Sequence, residues 1–130
     1  MTLTLGLLVT ALLFGGMTLF AFGFAAALFK TLPVAEARKV IRASFPHFYL
    51  FVIGASALGA LLLLWHDLSG ALLLAAIAGT TVWARQGLMP AINAATDRGE
   101  TGRFRRLHGL SVGVTLLHIV AAGYTLVRLI

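Results

Sequence analysis

The chain has 130 residues, of which 60% are hydrophobic and only 11% are charged. A soluble domain contains about 45–50% apolar and about 25% charged residues, so this composition excludes an ordinary soluble protein and favours one that is surrounded by lipid. The formal net charge is +6, but the positive residues cluster in short segments between apolar stretches, which indicates a membrane surface rather than nucleic acid as the partner.

Four apolar stretches are long enough to cross the hydrocarbon core of a bilayer, which takes about 20 helical residues. The sequence predicts spans over residues 3–29, 47–65, 68–89 and 105–128. Pro33 and the amphipathic pattern behind it predict a short interfacial helix over residues 33–45, and Pro46 is expected to start the second span. The predicted fold is therefore an all-α integral membrane four-helix bundle, in a single domain that covers residues 1–130.

The basic residues predict the orientation of this bundle. Nine of the ten lysines and arginines fall at one end of the predicted spans: Lys30, Arg38, Lys39, Arg42, Arg85, Arg98, Arg103, Arg105 and Arg106. By the positive-inside rule this end is cytoplasmic, so both chain termini and the turn at His66 and Asp67 are expected on the non-cytoplasmic side. We expect a bacterial inner membrane, with the basic end touching anionic lipid headgroups.

Small residues at four-residue spacing mark helix contacts in lipid, because they let helix backbones approach closely. The fourth span contains Gly109 and Gly113, and the third contains Ala71, Ala75 and Gly79. These stripes predict a compact bundle. They can equally serve a homo-oligomer or a larger membrane complex.

Polar side chains are few, and most of them lie near the cytoplasmic ends of the spans. Because buried polar groups in a membrane face the bundle interior or a wet cavity, the sequence predicts a binding cluster there for a small ligand, a lipid headgroup or a partner subunit. The cluster contains Arg42, His47, Arg85, Asn93, Asp97, His108 and Ser111. Direct interaction among Asn93, Asp97 and His108 is expected. His118 lies near mid-membrane and is either neutral and bonded to a neighbouring helix, or part of a ligand or proton site.

No catalytic motif is recognisable, since the chain has no phosphate-binding glycine loop, no nucleophile triad and no paired intramembrane carboxylates; we therefore expect no enzyme. The chain also has no cysteine. His108 and His118 are ten residues apart, about 15 Å along a helix, so they cannot share a metal ion. Haem b held between His47 and His108, or copper, remains an alternative, as does a small-solute, drug or metal transporter acting as an oligomer. An accessory or binding protein is the favoured function.

Several short motifs, taken together, resemble the transmembrane protein 205-like family of small four-helix membrane proteins. The matching segments are Gly15–Phe29, Phe45–Tyr49, Pro90–Asn93 with Asp97, and Phe104 with Leu107–Ser111. The resemblance implies a domain of unknown function in bacteria and a link to drug resistance and export in animals. The family pattern has Asn and Gln where this chain has Thr115 and His118. The layout is also similar to copper-resistance D-type membrane proteins, which is why haem and copper are retained.

Overall fold

The computed structural model describes residues 1–130 and contains only helices and short turns. Each of the four long helices is long and apolar enough to cross a membrane: α1 (Thr2–Thr31), α2 (Val34–Leu63), α3 (Leu68–Asp97) and α4 (Thr101–Leu129). The predicted all-α fold with four spans is confirmed, and the chain has the architecture of a multi-pass membrane protein.

The helices alternate in direction, so that both chain termini and the α2–α3 turn lie together at one end, here called the terminal end. Two contacts tie this end together: Thr2 Oγ1 lies 2.7 Å from His66 Nε2, and the Arg128 guanidinium donates to Asp67 Oδ1 at 3.0 Å. The opposite end, called the basic end, contains the α1–α2 and α3–α4 turns. Consequently nine of the ten basic residues lie in the half of the bundle nearer the basic end, and Arg128 is paired with an acidic residue.

The α3–α4 turn is short because a glycine closes it. Gly99 has a φ of +67°, a left-handed conformation that glycine adopts without steric cost. The Gly99 amide donates to the Thr96 carbonyl at 3.2 Å, and the Glu100 amide donates to the Ala95 carbonyl at 3.0 Å. This pair of bonds is a Schellman motif, and it leaves only three residues between the end of α3 and the start of α4.

The prediction of a separate interfacial helix over residues 33–45 is wrong about where that helix ends. That segment is helical, but it forms the first turns of α2, which continues without a break through Pro46 to Leu63. Proline removes one backbone donor and usually ends or kinks a helix. Here the Pro46 carbonyl accepts a hydrogen bond from Arg85 Nε of α3 at 3.4 Å, so a neighbouring helix holds the backbone at this point.

The third helix also runs further than its predicted end at residue 89, because it continues past Pro90 to Asp97. A π-helical turn, Ala84–Leu88, lies directly before the proline. Local π adjustments are one way in which membrane helices accommodate the missing donor of a proline. A second π turn, Leu19–Phe24, interrupts α1 in its half nearer the basic end.

The core lies along the axis of the bundle, where side chains such as Leu13, Leu63 and Leu74 are fully buried. Towards the basic end the packing is aromatic, with the rings of Phe20 and Phe48 stacked at 4.0 Å. The outer surface is also apolar, with Leu61, Leu117 and Val120 each about two-thirds exposed: 68%, 69% and 67%. Such a surface is stable in lipid and not in water.

Candidate functional site

The predicted polar cluster contains one strong contact, between α2 and α3. The Arg42 guanidinium donates to both carboxylate oxygens of Asp97, at 2.7 and 3.0 Å. Such a forked pair fixes the geometry of both groups. The two side chains remain 45% and 60% exposed, so the pair joins α2 to α3 at the surface and does not form a closed pocket.

Two further contacts involve cluster residues that lie further from the basic end than the Arg42–Asp97 pair. The buried hydroxyls of Tyr49 and Ser111 lie 3.3 Å apart and connect α2 to α4. Arg85 Nε donates to the Pro46 carbonyl and connects α3 to α2. These contacts are separate from the Arg42–Asp97 pair.

The other residues predicted for the cluster make no side-chain hydrogen bonds to its members. Asn93 is half-buried and makes none, so no hydrogen bond joins it to Asp97 or to His108. His108 is exposed and stacks on Phe104 of its own helix, with ring centroids 5.4 Å apart. His47 is exposed and makes no side-chain hydrogen bond. The cluster is therefore three separate contacts and a polar surface.

His118 is bonded to a neighbouring helix, one of the two arrangements expected for it. Its Nε2 lies 2.7 Å from the Thr80 hydroxyl of α3. The same side chain lines a cavity of about 10 Å³ between the four helices. The lining residues are Met17, Phe48, Tyr49, Val52, Thr81, Ala84, Val114, Thr115 and His118.

The outward side of α4 carries a surface that the rest of the bundle does not use. A Cβ added at Gly109 or at Gly113 would meet nothing within 4 Å. Helical spacing places both glycines on one side with Leu116 and Val120, and all four residues are exposed. We call these four residues the glycine face.

Sequence reasoning missed two participants in the contacts described above. Tyr49 is not in the predicted cluster, although its common depth with Ser111 is a signal for their pairing. Thr80 gave no signal, because threonines in membrane helices commonly bond their own backbone, as Thr80 also does to the Ala76 carbonyl. No group of three or more His, Asp or Glu side chains is placed to hold a metal ion.

The chain was compared with known proteins and protein families. No curated protein and no solved structure matches it. Residues 8–101 match one family model, DUF4149, described as a domain of unknown function. The match covers α1 from residue 8, all of α2 and α3, and the first residue of α4. It includes Arg42, Arg85, Asn93 and Asp97. The chain therefore belongs to the DUF4149 family.

Proposed function

We propose that this chain is a non-enzymatic accessory protein of the bacterial cytoplasmic membrane, which acts by packing the glycine face of α4 against another membrane-spanning helix. The observation that supports this proposal is the exposure of Gly109 and Gly113, which no side chain of their own bundle approaches. Glycine four residues from glycine within an apolar helix lets a second helix come close enough for backbone and side-chain contacts.

The packing of the interior supports an accessory protein over a solute carrier. The cavity between the four helices has a volume of about 10 Å³, which is the room that one water needs. Fully buried side chains of α1 and α2, such as Leu13 and Leu63, fill the interior on the side of the terminal end. A path for a solute through a single copy would require these side chains to separate.

The basic end is proposed to face the cytoplasm and to touch anionic lipid headgroups. Arg103, Arg105 and Arg106 in the first turns of α4 are all exposed and make no ion pair, so their charges are free to attract such lipids. We further propose that the likeness to transmembrane protein 205-like proteins reflects a shared architecture. It rests on Phe45–Tyr49 within α2 and on Leu107–Ser111 of α4.

Photo-cross-linking in membranes tests the helix-packing proposal. A photoreactive amino acid is placed at Leu116, which lies on the glycine face and is 42% exposed. We expect one discrete cross-linked species, and we expect Gly113→Ile to abolish it, because a branched side chain keeps the second helix away. Purified, reconstituted protein then distinguishes a second copy, which still cross-links, from a different membrane protein, which does not.

Gly79→Ile is the matched control. Gly79 lies in α3, is also exposed and also has nothing within 4 Å of an added Cβ, but it is not on the glycine face. We expect this variant to leave the cross-linked species unchanged. A cross-link that persists in Gly113→Ile, or the lack of any discrete species in native membranes, would refute the proposal.

A further inference from the structure

The cavity between the four helices has an unusual lining for the middle of a membrane bundle. His118 and Thr115 reach it from α4, Thr81 from α3 and Tyr49 from α2. Polar groups at this depth cannot be satisfied by lipid chains and are expensive unless they are bonded. The hydrogen-bonding capacity that these side chains leave unused therefore indicates what the cavity accepts.

The hydrogen bonds of the Thr80 hydroxyl indicate which atom is the donor in the His118–Thr80 bond. A threonine hydroxyl has a single proton, and that of Thr80 goes to the Ala76 carbonyl at 2.7 Å. We therefore assign the hydrogen of this bond to His118 Nε2, which lies 2.7 Å from the same oxygen. A neutral imidazole protonated at Nε2 leaves Nδ1 as an acceptor.

Two groups of the lining are consequently uncommitted. His118 Nδ1 makes no hydrogen bond within the chain, and neither does the Thr115 hydroxyl one turn earlier on α4. The Thr81 hydroxyl, by contrast, donates to the Ile77 carbonyl at 2.6 Å, and the Tyr49 hydroxyl has Ser111 as its partner. The cavity thus offers His118 Nδ1 as an acceptor beside the Thr115 hydroxyl, which can donate or accept, while the Thr81 oxygen keeps lone pairs that can also accept.

We infer that this cavity is a binding site for a single O–H group, which donates to His118 Nδ1 and exchanges a second hydrogen bond with the Thr115 hydroxyl. The cavity volume of about 10 Å³ limits the ligand to one oxygen atom, about the size of a water. The O–H group comes either from water or from the hydroxyl of a membrane lipid such as diacylglycerol. The inference is independent of the glycine face, which lies on the other side of α4.

Nuclear magnetic resonance of the full chain in nanodiscs tests the site. Histidine is labelled with ¹⁵N, and the nanodiscs contain phosphatidylcholine alone, whose headgroup has no hydroxyl. We expect His118 to have its hydrogen on Nε2, and Nδ1 to show the shift of a hydrogen-bonded acceptor. Magnetisation transfer from water to His118 identifies water as the source. Transfer from the lipid hydroxyl, seen only after diacylglycerol is added, identifies the lipid.

Variants at Thr115 separate binding from folding. Thr115→Val has nearly the same shape and should reduce the transfer to His118 to the noise level, whereas Thr115→Ser keeps the hydroxyl and should restore it. His47→Gln, which changes an exposed histidine of α2, should have no effect. A hydrogen on Nδ1 instead of Nε2, or no transfer in either lipid composition, overturns the inference.

Discussion

Replacement of Gly16 by valine is expected to destabilise the bundle by about 1–3 kcal/mol, the usual cost of forcing extra atoms into a packed contact. Gly16 is where α1 passes closest to the Phe51 ring of α2: a Cβ at this position would lie 2.6 Å from Cε1 and 2.7 Å from Cζ. The Phe51 ring is partly buried and packs against the hydrophobic core, so it moves away from the added atoms only if its neighbours repack. The cost is measured by unfolding the purified protein in mixed micelles with an increasing mole fraction of sodium dodecyl sulfate. Circular dichroism monitors the loss of helix.

The neighbouring glycine provides the control for this prediction. Gly15 is exposed, and a Cβ there would meet nothing within 4 Å, so Gly15→Val should change the stability by no more than about 0.5 kcal/mol. Removal of the ring with Phe51→Ala should make Gly16→Val less harmful than it is alone. Equal effects of valine at positions 15 and 16 would contradict the α1–α2 packing described above.

The ion pair at the terminal end is expected to give the second large effect, about 1–3 kcal/mol of lost stability for Arg128→Gln. Asp67 is only 11% exposed, and its Oδ2 is buried without a hydrogen-bond partner, so Arg128 is the partner that neutralises this carboxylate. Loss of one partner from a fully buried pair costs about 3–5 kcal/mol. The smaller figure applies here because the Arg128 side chain is 36% exposed.

A double-mutant cycle with Asp67→Asn measures this pair in the same unfolding assay. The double variant should be less destabilised than the sum of the two single changes, by a coupling of about 0.5–3 kcal/mol. Arg105→Gln removes one positive charge from an exposed residue without a partner and is the control for net charge. If Arg128→Gln is no more harmful than Arg105→Gln, the pair does not hold the α2–α3 turn to α4.

The sequence predicted the four spans because apolar runs of that length have few other stable environments, and the structure confirms them. It did not predict that α2 continues through Pro46 or that α3 continues past Pro90. Both prolines break the local rule for helices. A π turn lies just before Pro90, and Arg85 of α3 donates to the Pro46 carbonyl. Neither can be deduced from local preference.

For the candidate site too, the sequence predicted several of the residues that take part but not which of them form pairs. Arg42 and Asp97 were both placed in the polar cluster, but their pairing depends on how α2 and α3 rotate about their axes, which periodicity alone does not determine. The same holds for Tyr49, whose partner Ser111 is on another helix. The sequence shows the four-residue spacing of Gly109 and Gly113, on which the glycine face is based. Only the packed bundle distinguishes Gly113, which nothing approaches, from Gly59, where an added Cβ would lie 2.8 Å from Leu74 Cδ1.

Cysteine labelling in intact cells tests most directly that this chain crosses a membrane four times with its basic end in the cytoplasm. The natural sequence has no cysteine, so single substitutions report without background. We predict that a membrane-impermeant maleimide labels His66→Cys and Ile130→Cys from outside, and that it labels Arg98→Cys only after the membrane is permeabilised. Labelling of Arg98→Cys in intact cells, or recovery of the chain from the soluble fraction, would contradict this account.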